Sequence, residues 1–302
     1  MVPLHSNPSL RPIKDIKNGI NGQHVIKFLI LVLACKFAII RSTSLESYHG
    51  AAAKINLQNP PAEDYEYTKA NIWVQHGLHS DLNSIEVGWA VNPTLYGDNH
   101  TRLTTFWTVD NFQATGCYNA LCPGYLQIDR SIFLGNACRI QGSFQGPSGT
   151  EQKTQKNSEQ KATDLREKGR IEEFLKAKRR RYDMRYWARE LFNELGVGAL
   201  KVQFGGATKQ SPEGASPAMG NGIRPSNHEF KACYFTNIGY ARFGYNLSDV
   251  DPNDMAKFVD SPLCYNLNYF SEGGPLGQTF TFGGPGGAGG ICTYSVNSTS
   301  YV

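Results

Sequence analysis

The stretch Ser84-Ile85-Glu86-Val87-Gly88-Trp89-Ala90-Val91 constrains the fold more than any other part of the chain. Apolar residues recur at every second position. That period marks a strand with one buried face, and it puts Ile85, Val87, Trp89 and Val91 on that face. Glu86, Gly88 and Ala90 share the other face. A carboxylate beside two small residues has room above it, as a strand on the floor of a cleft would provide. From spacing alone, the plainer reading of Glu86 as a solvated residue on a half-buried strand is the stronger one.

Strand signals continue on both sides. Leu103–Val109 is aromatic and β-branched, Tyr125–Leu134 reads as a further strand, and Ala199–Thr208 and Lys231–Ile238 add two more. Tyr96-Gly97-Asp98-Asn99 reads as a turn. The 31 glycines and 15 prolines suit many turns. These signals predict an all-β fold. Residues 145–185 break the pattern with a Lys/Glu/Gln-rich segment. Helical spacing over residues 164–195 (Ile171, Phe174, Leu175, Tyr182, Tyr186, Leu191, Phe192, Leu195) predicts one inserted charged helical segment. Residues 151–185 hold 12 Lys/Arg against 7 Asp/Glu, and the rest of the chain is nearly balanced. The formal charge of +4 is therefore local, and no basic patch for nucleic acid spans the domain. Lys178-Arg179-Arg180-Arg181 reads as part of a solvated, partly disordered face rather than an RNA contact.

Residues 1–24 form a polar leader. Val25–Ile40 is the most apolar run, interrupted by Lys27 and Lys36. It is too short to span a bilayer, which takes about 20 apolar residues, and suits a signal-peptide h-region of about 7–15. The expected arrangement is a leader, an h-region over 25–42 and a domain over 47–302 interrupted by 145–185. The expected location is extracellular, with a membrane anchor through residues 25–40 as the alternative. Sequons at Asn99, Asn246 and Asn297 fit secretion.

The run IEVGW, then NPTLYGDN, TTFWTVD and GCYNALCPGY, resembles the plant neprosin family of glutamic peptidases over about residues 48–135. The resemblance resumes from Tyr186 to Cys292. Its carriers there are YWARELF, similar to a short helix of the family, AMGNG, KACYFTNI, Cys264-Tyr265 and FGGPG. Ser47–Gln58 is similar to the first strand of the family's catalytic domain, and the family's activation peptide and Trp-rich hairpin are expected to be missing.

The resemblance implies a twisted antiparallel β-sandwich, and post-proline peptide hydrolysis at acidic pH, without cofactor or metal, by two glutamates facing each other. One carboxylate acts as general base, and its partner polarises the scissile carbonyl. Close carboxylates push one pKa upward, which favours acidic working pH. The first glutamate of the family falls on Glu86. The second is expected after Gly205-Gly206, where this chain carries Ala207. Gln203 is the substitute partner to consider, and Glu213, in a Pro/Gly-rich loop, is a poor one. Hydrolysis is therefore expected to be impaired, and the alternative is a non-catalytic extracellular peptide-binding module. The expected ligand is a peptide or protein substrate, proline-rich in the family's manner. Nucleic-acid binding and stable membrane insertion are not expected, and the expected state is a monomer. The resemblance also implies disulfides Cys117–Cys122 and Cys264–Cys292, against the alternative of four free buried thiols.

Other signals are weaker. His76-Gly77-Leu78-His79 lacks the spacing of a helical zinc motif and reads as a loop pair. GGPGGAGG at 283–290 lacks the strand-then-helix context of a phosphate cradle. Cys233 reads as a core thiol. Trp89, Tyr96 and Trp107 are candidates to line the cleft, although large aromatics are more often core.

Overall fold

The computed structural model describes residues 35–44, 46–123, 125–126, 134–138, 186–187, 191–226, 230–242, 246–273 and 276–287. Within them the chain runs through β1 (Cys35–Ser42), β2 (Gly50–Ile55), β3 (Tyr67–His76), β4 (Asn83–Val91), the short helix α1 (Pro93–Tyr96), β5 (Arg102–Thr108), β6 (Cys117–Tyr118) and β7 (Tyr125–Leu126). It continues through β8 (Tyr186–Trp187), β9 (Lys201–Lys209), β10 (Cys233–Ala241), β11 (Leu247–Asp249), β12 (Met255–Val259), β13 (Asn266–Gly273) and β14 (Gly277–Gly283). A seven-stranded sheet has the order β12-β1-β9-β3-β4-β5-β6, and a five-stranded sheet has β11-β10-β14-β13 with β2 also on β10. Every strand pairing is antiparallel. The expected all-β sandwich is the observed architecture.

Burial of alternate side chains drives the two sheets together. Ala38, Ile40, Ala70, Ile72, Val87, Trp89 and Phe204 of the larger sheet join one core cluster with Phe235, Leu267, Phe280 and Phe282 of the smaller one. Phe235 and Phe280 stack with centroids 4.8 Å apart, a geometry worth about 1 kcal/mol beyond burial. Gly206 lets the layers close: a Cβ there would lie 2.5 Å from the Phe282 ring and 2.6 Å from Met219 Sδ. The alternation read in β4 holds, with Val87 and Trp89 in this core and the Trp89 indole N–H donating to Asn56 O at 2.9 Å.

Several expectations change. Cys35–Ser42, expected at the end of an h-region or anchor, is a strand paired with β12 on one side and β9 on the other. Ala38 and Ile40 are fully buried in it. Lys36, which interrupts the apolar run Val25–Ile40, is also buried, close enough to Asp260 to act on its charge. Residues from Cys35 onward thus belong to the domain, and residues 25–34 lie outside the described set. Ser47–Gln58 contains the strand β2. Tyr186–Trp187, expected to open a helix, instead pairs as a strand with Tyr125–Leu126. The charged segment 145–185 lies outside the described residues. No helix among the described residues is long and apolar enough to cross a membrane.

Cys117 and Cys122 form the expected disulfide, with Cα atoms 6.0 Å apart. Cys264 is also disulfide-bonded, and its expected partner Cys292 lies outside the described residues. Cys35, Cys138 and Cys233 are free thiols, and burial pushes the Cys233 thiol well above its ordinary value.

Candidate functional site

The larger sheet has a second face, turned away from the core. Its registers fix which side chains share that face. Arg41 of β1 lies opposite Gln203 of β9, Gln203 opposite Trp73 of β3, Trp73 opposite Glu86 of β4, and Glu86 opposite Phe106 of β5. Two residues along, Ile39, Gly205, Asn71, Gly88 and Thr104 form the next row. Phe37, Ala207, Lys69, Ala90 and Arg102 form the one after. Sequence spacing brought Glu86 to this face, and pairing brought the rest.

Glu86 is 4 % exposed. A charge so deep needs partners, because burying it alone is costly. Lys69 Nζ lies 2.6 Å from Glu86 Oε2, and Asn71 Nδ2 donates to the same oxygen at 3.1 Å. The Lys69 ammonium also sits 5.2 Å from the Tyr67 ring centroid and 5.6 Å from that of Trp73. The space expected above Gly88 is taken by Asn71: a Cβ at Gly88 would lie 2.4 Å from Asn71 Oδ1 and 1.9 Å from Ala70 O. Asn71 Oδ1 is buried without a hydrogen-bond partner. Burial raises the Tyr67 and Tyr118 phenols well above their ordinary range, and the Glu86 charge adds to the rise in both.

Ala207 is fully buried in a small apolar cluster with Ile39 and Trp73, flanked by Phe37 and Phe258. Lys69 starts directly across from Ala207 and ends on Glu86. One ammonium therefore spans the ground between the two positions at which the family resemblance expects carboxylates. Gln203 lies on the same face, two strands from Glu86 with Trp73 between them. Its amide donates to Gln75 Oε1 at 2.5 Å, not to Glu86. Glu213 lies in the turn after β9.

The cleft aromatics divide. Trp89 and Trp107 belong to the core on the far side of the sheet. Tyr96 bonds to Thr104 Oγ1 at 2.7 Å and accepts from Asn119 Nδ2 at 3.0 Å, at the β5 margin of the Glu86 face. Phe37, Trp73, Phe106 and Tyr118 stand on the face itself. Lys69 and Asn71 were not singled out from sequence. The alternation Tyr67, Lys69, Asn71, Trp73, Gln75 in β3 contained a signal, but nothing local said which strand it would meet. His76 is held by Gly198 O at 2.5 Å and lies 3.7 Å from Glu194. No group of three His, Cys, Asp or Glu among the described residues is placed to hold a metal ion. Asn99 and Asn246 are exposed, and Asn297 lies outside the described residues.

The site is thus a buried glutamate ion-paired to Lys69 on the outer face of the larger sheet of an antiparallel sandwich. The chain belongs to the neprosin family: the family model described as Neprosin matches residues 64–285. The strands β1 and β2 precede the matched range and are nonetheless integral to the two sheets.

Proposed function

We propose that this chain is a secreted neprosin-family protein that holds peptide on the outer face of its larger sheet and turns it over poorly or not at all. One observation carries the reading. The position expected to hold the second carboxylate is the buried Ala207, and Lys69 bridges from that position to Glu86. Two-carboxylate hydrolysis needs one group to take a proton from water and another to polarise the carbonyl. Here the single carboxylate is neutralised by an ammonium, and Gln203 is turned to Gln75. Features that suit peptide binding remain. The face offers aromatic rings, a buried unpartnered acceptor at Asn71 Oδ1 and donors at Lys69, and proline rings pack well on aromatic surfaces. The Cys117–Cys122 disulfide and the exposed sequon asparagines Asn99 and Asn246 support an extracellular setting.

The test is incubation of the purified protein with a capped proline-containing fluorogenic peptide from acidic to neutral pH, beside Glu86→Gln. Binding without cleavage is expected. Efficient cleavage that disappears in Glu86→Gln would overturn the reading and make Glu86 the base of a working peptidase. A gain of cleavage in Ala207→Glu would show that the missing carboxylate alone limits the wild type.

A further inference from the structure

The outer face carries more positive charge than its one glutamate balances. Besides Lys69, the registers place Arg41 of β1 and Lys201 and Lys209 of β9 on it. Arg41 and Lys201 make no ion pair or hydrogen bond with any side chain among the described residues. Both are half-buried. The Arg41 guanidinium stacks on the Phe258 ring, 5.0 Å from its centroid. Stacking fixes the plane and leaves the edge of the fork unused, the arrangement suited to two-pronged recognition of a carboxylate. Lys201 lies two residues from Gln203, the register partner of Arg41. Burial and the neighbouring Arg41 charge pull the Lys201 ammonium below its ordinary value, so the two cations repel where no acid stands between them.

Arg41 and Glu86 lie in one row, three strand intervals apart across Gln203 and Trp73. At about 4.8 Å per interval the backbones are roughly 14 Å apart, the reach of about four extended residues at ~3.3 Å each. We propose that Arg41 and Lys201 form a carboxylate subsite of the peptide-binding face, so that the peptide it takes is acidic, with its carboxylate about four residues from the position over Glu86. The inference rests on the peptide-binding reading above and adds the ligand's charge and spacing. The carboxylate has two sources, a Glu or Asp side chain or a free C-terminus.

Fluorescence anisotropy with the full chain and three labelled peptides tests it. One is capped and neutral with a central proline, one carries Glu four residues from the proline, and one has Gln there and an uncapped C-terminus at that distance. Tighter binding of an acidic peptide over the neutral one by about tenfold is expected. The second and third arms identify which source of carboxylate the site takes. Arg41→Gln and Lys201→Gln should each remove most of that gain, so that the acidic and neutral peptides bind nearly alike. Lys201, at the start of its strand, guards against a folding defect in the Arg41 variant, and thermal melts check both. Equal affinity for all three peptides would overturn the subsite and leave the peptide-binding reading standing. A gain that survives both variants would also overturn it, assigning the preference to general charge. Absence of binding by any peptide to folded protein would overturn both readings.

Discussion

Without the Lys69 ammonium, the Glu86 carboxylate would keep a single donor, Asn71 Nδ2, at a side chain only 5 % exposed. Breaking a buried pair from one side costs about 3–5 kcal/mol, since the remaining charge stays uncompensated. Lys69→Met should therefore lower stability by about that amount in urea unfolding, and Lys69→Met with Glu86→Gln should recover most of it. If the single variant unfolds like wild type, the ion pair is not what holds Glu86 in place. The same residues show how far local reading reaches. The side of β4 on which Glu86 stands followed from alternation alone. Its charge partner did not, because Lys69 is 17 positions away and meets it only through the β3–β4 register.

At the scale of the element, β1 is tied to the strand beside it by a carboxylate. Asp260, which follows β12, accepts from the Phe37 N–H at 2.9 Å and is 4 % exposed. Burial pushes its carboxyl up to about 6, against the pull of the Phe37 hydrogen bond and the nearby Lys36 charge. The sign follows from proton counts. Between about pH 4 and 6 the unfolded chain has lost this proton while the folded chain keeps it, so stability falls as pH rises through that window. The contribution is on the order of 3 kcal/mol and is complete above about pH 6. Asp98, held below its ordinary value chiefly by its hydrogen bond to Arg102, works in the opposite direction at lower pH. The measurement is therefore the difference between wild type and Asp260→Asn by denaturation from pH 3.5 to 7. A difference that stays flat across the window would show that Asp260 ionises alike in both states. Element identities were legible where alternation was clean, as in β4, β5, β9 and β10. They are not legible at β1, where an apolar run containing Lys36 reads equally as a leader until a buried acid appears beside it, nor at Tyr186–Trp187, where pairing with Tyr125–Leu126 overrides a helical spacing.

At the scale of the molecule, β1 is an inner strand of the larger sheet, and deleting it would expose the edges of β9 and β12 together and remove Ala38 and Ile40 from the core. Unpaired edges and lost burial of that extent exceed the margin of a typical domain. A chain beginning at His49 should therefore yield no cooperatively folded protein by circular dichroism and melting, whereas the full chain folds; a cooperative melt from the shortened chain would show that β1 is dispensable. The sequence by itself determined the all-β class, which side chains share each face of β4, the family, and the absence of an acid after Gly205-Gly206. These depend on periods, residue types and motifs within a few positions, which local sterics and burial impose directly. Only the tertiary structure decided that Cys35–Ser42 is a sheet strand, that Lys69 bridges from Ala207 to Glu86, and that Arg41 and Lys201 stand together without an acid. Those facts depend on which strands pair and in what register, and register is set by the packing of the two sheets as a whole rather than by any one strand.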